Sequence, residues 1–384
     1  MIHPTKDTCC GCTACEAVCP RKAIEMHGDA QGLLYPVVDK ERCVDCGLCE
    51  KVCAFNGAAT VTDEREMPMV YAARHRSREE VMRSRSGAVF VAVSDRILAE
   101  GGVVYGAAMD GIERVAHLRA TNAAERDLMR GSKYVQSDMR GVLAQVCDDL
   151  KSGLHVLFSG TPCQTAGLQA LLKTKRIDTS RLTVMDIVCH GVPAPNLWRD
   201  YIRYVGKRHG EVRSVNFRDK DKYGWETHKE SFTLADGRVI YDQFLFYNPQ
   251  FIRESCAHCP HACTQRPSDI TIGDCWGWER VAPDMNTDGK GVSLVLVNTP
   301  KGAEIFDEIR DELVVRQIAD IQNVLQPNLQ HPTPRHPQRE RFSADYAERG
   351  FEHACRRQGL LGWRADMRQI VHKLRVAMRV IFKI

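Results

Sequence analysis

Over most of its length the chain alternates short apolar runs with stretches of helical period. VVYGAAM (103–109), HVLF (155–158), TVMDIV (183–188), DITIG (269–273) and VSLVLV (292–297) are too short for helices and predict strands. Between them, 142–152, 164–174, 196–208 and 302–313 place apolar residues three and four apart and predict helices. ESFTLADGRVIYD (230–242) alternates about Asp236-Gly237 and predicts a β-hairpin. Strands interleaved with helices predict a layered, mixed sheet. The ends depart from this texture. Residues 1–57 are a compact cysteine block, and 58–69 predict a linker or a lead-in strand. HPTPRHPQRE (331–340) carries three prolines in seven residues, so 331–349 is expected as an extended linker. The pattern over 350–384 returns to helical period.

Composition narrows the class. The chain has 384 residues, 43% apolar and 27% charged, which suits two or three folded domains rather than a disordered chain. A net charge of +4 gives no electrostatic footprint for nucleic acid, and no nucleic-acid partner is expected. No apolar run approaches the ~18 residues of a spanning helix. The opening MIHPTKDTCCGC lacks a basic-then-apolar signal pattern. Seventeen cysteines, nine of them in the first 53 residues, then point to reduced thiols and metal rather than disulfides, with a cytoplasmic location.

The cysteines are not scattered. Cys9-x2-Cys12-x2-Cys15-x3-Cys19-Pro20 is followed by Cys43-x2-Cys46-x2-Cys49-x3-Cys53. Three cysteines spaced by two residues wrap one corner of an iron–sulfur cube, and the trailing fourth reaches across to the other cluster. The spacing thus assigns Cys9, Cys12, Cys15 and Cys53 to cluster one, and Cys43, Cys46, Cys49 and Cys19 to cluster two. Zinc is the competing metal, but it usually takes paired two-plus-two corners. This block resembles a two-cluster bacterial-type ferredoxin domain, with 23–39 as the hairpin between halves. It departs from that pattern at Cys53-Ala54, where proline is usual, and at Cys10, an extra thiol read as a spare side chain.

A ferredoxin-type block fused to a larger body supplies electrons to it. Seven segments of that body stand in a telling order: 83–110 (RSRSGAVF…GAAMD), GSKYVQSD (131–138), VLFSGTPCQTAGLQALL (156–172), MDIVCHGVPAPNLWRDYI (185–202), FRDK…YGW (217–225), 255–278 (SCAHCPHAC…GDCWGW) and GKGVSLVLVNTPKG (289–302). Together they resemble the family of coenzyme F420 hydrogenase/dehydrogenase beta subunits, over roughly residues 70–315, within a domain expected over 70–330. The resemblance implies a flavin (FAD), at least one further [4Fe-4S] cluster, and electron transfer between them. The fold expected is α+β: a ferredoxin-like domain with two [4Fe-4S] clusters, a mixed α/β flavin-binding domain, and a C-terminal helix.

Eight cysteines lie outside the ferredoxin block: Cys147, Cys163, Cys189, Cys256, Cys259, Cys263, Cys275 and Cys355. Cys163 and Cys189 each follow a predicted strand, and Cys256-x2-Cys259 forms a corner ahead of another. Strand ends of one sheet bring distant turns together. Cys163, Cys189, Cys256 and Cys259 are therefore expected to hold the third cluster. Cys263 and Cys275 compete for places in it, while Cys147 and Cys355 read as buried apolar residues.

No GxGxxG follows a strand and no GxxxxGK[ST] is present, so FAD needs another cradle. Ser86-Gly87 offers amides and a hydroxyl to phosphate, and Gly131, Ser132, Lys133 and Tyr134 add a cation and a stackable ring. Thr161 and Gln164 flank Cys163 and are expected at the isoalloxazine edge. Ordinary turns account for the glycines equally well on sequence alone. The family often has a second glycine where this chain has Ala88. His190 is the candidate proton relay, or else a histidine capping a turn. Asp219, Lys220, Asp221 and Lys222 read as a solvated charged loop.

The tail 364–384 carries six basic residues and one acidic one at helical spacing. It predicts a basic amphipathic helix that packs on the body, docks on a partner, or lies on the inner face of a membrane. The function expected is an iron–sulfur flavoprotein oxidoreductase passing electrons between its clusters and FAD. A hydride then goes to an organic partner: a deazaflavin, a nicotinamide or a biosynthetic intermediate. A redox partner protein, namely a ferredoxin or a dehydrogenase or hydrogenase subunit, is expected. The alternative is a non-catalytic electron-transfer subunit of a larger complex.

Overall fold

The computed structural model describes residues 2–56, 67–246 and 248–362. Most of the predicted linker 58–69 and the tail helix expected over 364–384 lie outside the described residues. The described residues form thirteen strands: β1 (Ile24–Gly28), β2 (Leu34–Val38), β3 (Met69–His75), β4 (Val103–Asp110), β5 (Arg114–Ala120), β6 (Val156–Gly160), β7 (Leu182–Ile187), β8 (Val212–Asn216), β9 (Glu230–Leu234), β10 (Val239–Asp242), β11 (Ile270–Asp274), β12 (Ser293–Val297) and β13 (Leu313–Gln317).

An eight-stranded mixed sheet in the order β13-β3-β12-β11-β7-β6-β4-β5 forms the body. The run β11-β7-β6-β4 is parallel, and β12, β3, β13 and β5 join antiparallel. The parallel strands read as continuous apolar runs because helices cover both of their faces. On one face the Val142–Lys151 and Pro162–Lys175 helices pack through Leu143, Val146, Leu168 and Leu171. On the other, Val89–Ala99 and Pro300–Glu308 pack through Val93, Ile97, Ile305 and Phe306. The hairpin about Asp236-Gly237 is β9–β10, part of a separate three-stranded sheet capped by the Pro195–His209 helix.

The cysteine block carries the β1–β2 hairpin and the short helix Ala14–Val18. It docks on the Pro162–Lys175 helix, where Cys10, Cys12, Ala14 and Val18 share one core with Ala166 and Leu171. The approach is close: a Cβ on Gly167 would stand 2.8 Å from Cys12 Sγ.

Two expectations are corrected. Residues 339–349, assigned to a linker, are helical, because the prolines stop at Pro337 and an amphipathic helix runs from Arg339 to a kink at Gly350 (φ 77°), with a second helical stretch to Arg357. Phe342 packs on Phe251 at a 5.1 Å ring separation, and Arg339 donates to Gln250 O and Gln31 Oε1. Lys220 is not solvated: it is buried, with Nζ donating to the carbonyls of Val81 and Lys290.

Candidate functional site

The two cysteine runs interleave in the fold. Cys19, Cys43, Cys46 and Cys49 line one small cavity with Pro20, Ile24 and Val38. Cys15 is buried beside Cys9, Cys12 and Cys53, and both burial and those neighbouring thiols push its thiol well up. Burial likewise raises Cys53 to about 11, with Cys12 and Cys9 adding to it. A low-dielectric pocket crowded with thiols disfavours thiolate unless a cation or metal neutralises it.

The body gathers its own four thiols. Cys163 sits at the start of the Pro162–Lys175 helix just beyond β6, and Cys189 just beyond β7. Cys256 lies in the turn Glu254–His258, with Cys259 directly after it. Burial pushes Cys189 up to about 12, with Cys163 contributing. Cys256 is raised well above the usual thiol range by burial, then by Cys189 and Cys163. Cys259 is raised to about 12 by burial, then by Cys163. Cys10 lies beside both Cys12 and Cys163; this lowers Cys163 to about 7 and raises Cys10 well above the usual thiol range. The extra thiol thus spans the gap between the cysteine block and the body. Cys275 is fully buried among Val292, Leu294 and Leu296, and Cys263 Sγ faces the Gln265 carbonyl at 3.1 Å. Cys147 and Cys355 are buried in apolar cores.

Arg266 fixes this quartet in place. It is 1% exposed, its Nη2 stands 3.2 Å from the fully buried Asp186 Oδ2, and it donates to Ile187 O at 2.9 Å and His261 O at 2.6 Å. It thereby ties the 256–266 loop to the end of β7, next to Cys189.

A cavity of about 420 Å³ opens at the carboxyl ends of β4, β6, β7 and β11, where Gly106, Ser159, Ile187 and Gly273 contribute wall. Cys189 is part of that wall. Ser86, Gly131, Ser132, Lys133, Tyr134, Thr161, Gln164 and His190 also line it.

The roles expected of some of these residues change. Gly87 does not line the cavity; its amide donates to Ser293 Oγ at 2.9 Å and its carbonyl accepts from His75. Its need for glycine is steric, since a Cβ would stand 2.2 Å from Ala73 O. Gly87→Ala is expected to destabilise the fold by about 3 kcal/mol, read as a lowered melting temperature in protein without added flavin. Unchanged melting would refute that contact. Ser86 Oγ donates to Val292 O at 2.6 Å. Lys133 turns its ammonium onto the carbonyls of Leu128, Arg130 and Gly131 at 2.8–3.2 Å. Burial, then Arg85, lower Lys133 to about 7. Thr161 N donates to Gln164 Oε1, and Gln164 Nε2 to Ser137 Oγ, so this pair shapes the turn that carries Cys163.

Other groups are better placed, and sequence reasoning missed them. Arg85 lines the cavity; among the described residues its Nε and Nη1 have no partner, and Nη2 is engaged by Arg218 O. Burial lowers it to about 10. Ser84 Oγ is likewise unpartnered. Beside them the Val89–Ala99 helix begins at Ala88, in left-handed backbone (φ 64°) with no side-chain cap. Its first amides carry the positive end of the helix dipole. Orphaned donors and an uncapped helix N-terminus fit a bound phosphate. The opposite wall is aromatic: Phe246 stacks on His228 at 4.0 Å and lies 4.3 Å from His190, and Tyr134 meets His228 edge-on at 4.5 Å. His190 Nε2 is buried without a partner among the described residues, and burial lowers its pKa to about 4, so it stays neutral. Asp274, given no role by the sequence, holds Arg218 and the Trp225 indole.

Comparison with known proteins follows this geometry. Residues 154–321 match the family model for the C terminus of the coenzyme F420 hydrogenase/dehydrogenase beta subunit. Residues 8–56 match that of the 4Fe-4S dicluster domain. The chain is 23% identical over 323 residues to the F subunit of the F(420)H(2) dehydrogenase of Methanosarcina mazei, a match that covers 81% of this chain and 85% of the relative. A chain of the F420-reducing [NiFe] hydrogenase complex from Methanosarcina barkeri superimposes with a TM-score of 0.48 and 16% identity, over 77% of this chain and 93% of its own.

Proposed function

Because the chain joins a 4Fe-4S dicluster domain to the C-terminal domain of coenzyme F420 hydrogenase/dehydrogenase beta subunits, and so belongs to their family, we propose that it is an iron–sulfur flavoprotein oxidoreductase. Cys9, Cys12, Cys15 and Cys53 hold one cluster and Cys19, Cys43, Cys46 and Cys49 the other. Cys163, Cys189, Cys256 and Cys259 hold a third. The observation that carries this reading is the position of the body quartet. Cys163 meets Cys10 of the cysteine block, while Cys189 forms part of the cavity wall. A cluster there bridges the N-terminal clusters and whatever fills the cavity.

FAD suits that cavity, with Arg85, Ser84 and the Val89–Ala99 helix N-terminus toward its phosphates. When bound, FAD supplies exchange between a two-electron hydride and single electrons. His190 presents a neutral, unpartnered imidazole nitrogen, suited to holding a proton at Nε2. Cluster two lies nearest solvent: Cys46 is exposed, and Val44 beside it is 62% exposed. A redox partner protein docks there. Among the described residues no helix is long and apolar enough to cross a membrane.

The test mixes the anaerobic holoprotein rapidly with a reduced two-cluster ferredoxin and follows flavin bleaching. Cys256→Ser should keep the flavin but bleach more slowly; equal rates would overturn the relay. A second reading, an electron-transfer subunit without its own substrate, is favoured by the relative's description as part of a dehydrogenase of several subunits. Native purification distinguishes them, since only the second requires a stoichiometric complex for turnover.

A further inference from the structure

Arg126, Arg253 and Arg266 are among the largest fully buried side chains. Arg126 pairs with Asp95 at 2.8 Å and Arg266 with Asp186. Arg253 differs, because its partners among the described residues are neutral. Nε donates to Cys9 O at 2.5 Å, Nη1 to Gln136 Oε1 at 3.0 Å and Nη2 to Leu34 O at 2.8 Å, with the Tyr35 ring 4.4 Å away. Burying a cation without a counter-charge costs several kcal/mol. The groups whose charge bears on Arg253 are the Cys9 thiol first, then Tyr35, Cys10 and Cys256. Cys9 belongs to the first N-terminal quartet and Cys256 to the body quartet.

The backbone couples the same two sites. Arg253 N donates to Val192 O, and Arg253 O accepts from Cys256 N at 3.1 Å. Gln136 Nε2 donates to Cys10 O at 2.8 Å. Gly11, in left-handed backbone (φ 69°), makes room: a Cβ there would stand 2.9 Å from both Arg253 Nη1 and Gln136 Nε2.

We propose that Arg253 is the shared counter-cation of two iron–sulfur clusters, the one held by Cys9, Cys12, Cys15 and Cys53 and the one held by Cys163, Cys189, Cys256 and Cys259. The inference rests on the third-cluster reading above. Reduction adds one negative charge to a cluster, so a fixed cation nearby favours the reduced form and holds the potential up. A cation common to both clusters lifts their potentials together and leaves the solvent-side cluster lower. Arg253 acts here as a positioning and tuning residue that touches no substrate.

The experiment is an EPR-monitored redox titration of the anaerobic full chain, with iron and sulfide measured on each preparation. Arg253→Gln is expected to load like wild type and to move two of three midpoints to more negative values. Arg253→Lys, which keeps the charge, should leave both near wild type. Should Arg253→Gln fail to load, Gln136→Glu places a carboxylate against the guanidinium and should lower the same two midpoints. Unchanged midpoints in a loaded variant, an equal shift of all three, or a shift in Arg253→Lys as large as in Arg253→Gln would each overturn the proposal. Wild type with only about eight iron atoms would instead remove the third cluster on which it rests.

Discussion

Arg266→Met should cost about 3–5 kcal/mol of stability and strip the chain of the third cluster proposed for Cys163, Cys189, Cys256 and Cys259. The Asp186 carboxylate is fully buried, and burial already raises its pKa. Removing Arg266 leaves that charge without its cation and frees the 256–266 loop from the carbonyls of Ile187 and His261. Denaturant unfolding gives the loss in stability, and iron content reports the cluster. The double variant Asp186→Asn with Arg266→Met should recover much of the stability, because neither charge then stands alone in the interior. Recovery of stability without recovery of iron would show that the loop tether, rather than the ion pair, secures Cys256 and Cys259. A single variant as stable as wild type would refute the role given to the pair.

Arg85→Met should move two properties in opposite directions. The flavin dissociation constant should rise roughly a hundredfold, as expected for about 3 kcal/mol of charge-assisted hydrogen bonding lost to phosphate. The flavin-free protein should melt at a higher temperature than wild type. Among the described residues the wild-type guanidinium has Nε and Nη1 unpartnered, so a thioether there gives up one bond, Nη2 to the Arg218 carbonyl, and removes two orphaned donors. Such a trade of stability for binding is common where a site is built ahead of its ligand. Fluorescence titration with FAD and thermal melts of flavin-free protein read the two effects separately. Unchanged flavin affinity would place the phosphates elsewhere.

The sequence was most informative where the chemistry is local. The two cysteine runs state their own spacing, and the structure places Cys53 with the first triplet and Cys19 with the second. The strands β4, β6, β7, β11 and β12 stood out because strands in the middle of a covered sheet are apolar on both faces. The peripheral strands did not. β13 exposes Val314, Arg316 and Gln317, and β5 carries Arg114, His117 and Arg119, so neither presents a clean apolar run. The four body cysteines stood out in the sequence because Cys163 and Cys189 follow recognisable strands, and the structure sets the four thiols near one another.

The cations were not legible. Arg85, Arg253 and Arg266 act on groups up to 244 residues away in sequence, and an arginine carries no periodic signal of what it will face. The reverse error came from the same source. Ser86 and Lys133 have the right chemistry for phosphate, but Val292 O and the carbonyls of Leu128, Arg130 and Gly131 are closer. Composition cannot show which acceptor a side chain finds first.

The central claim is that one chain carries three clusters and a flavin. The direct measurement is iron, acid-labile sulfide and released flavin on protein purified without oxygen, set against an ultraviolet–visible spectrum. Three four-iron clusters and a bound flavin require about twelve iron atoms, matching sulfide and one FAD per chain. About eight iron atoms with no flavin would contradict it, leaving a two-cluster ferredoxin-type domain on a body that carries no redox centre of its own.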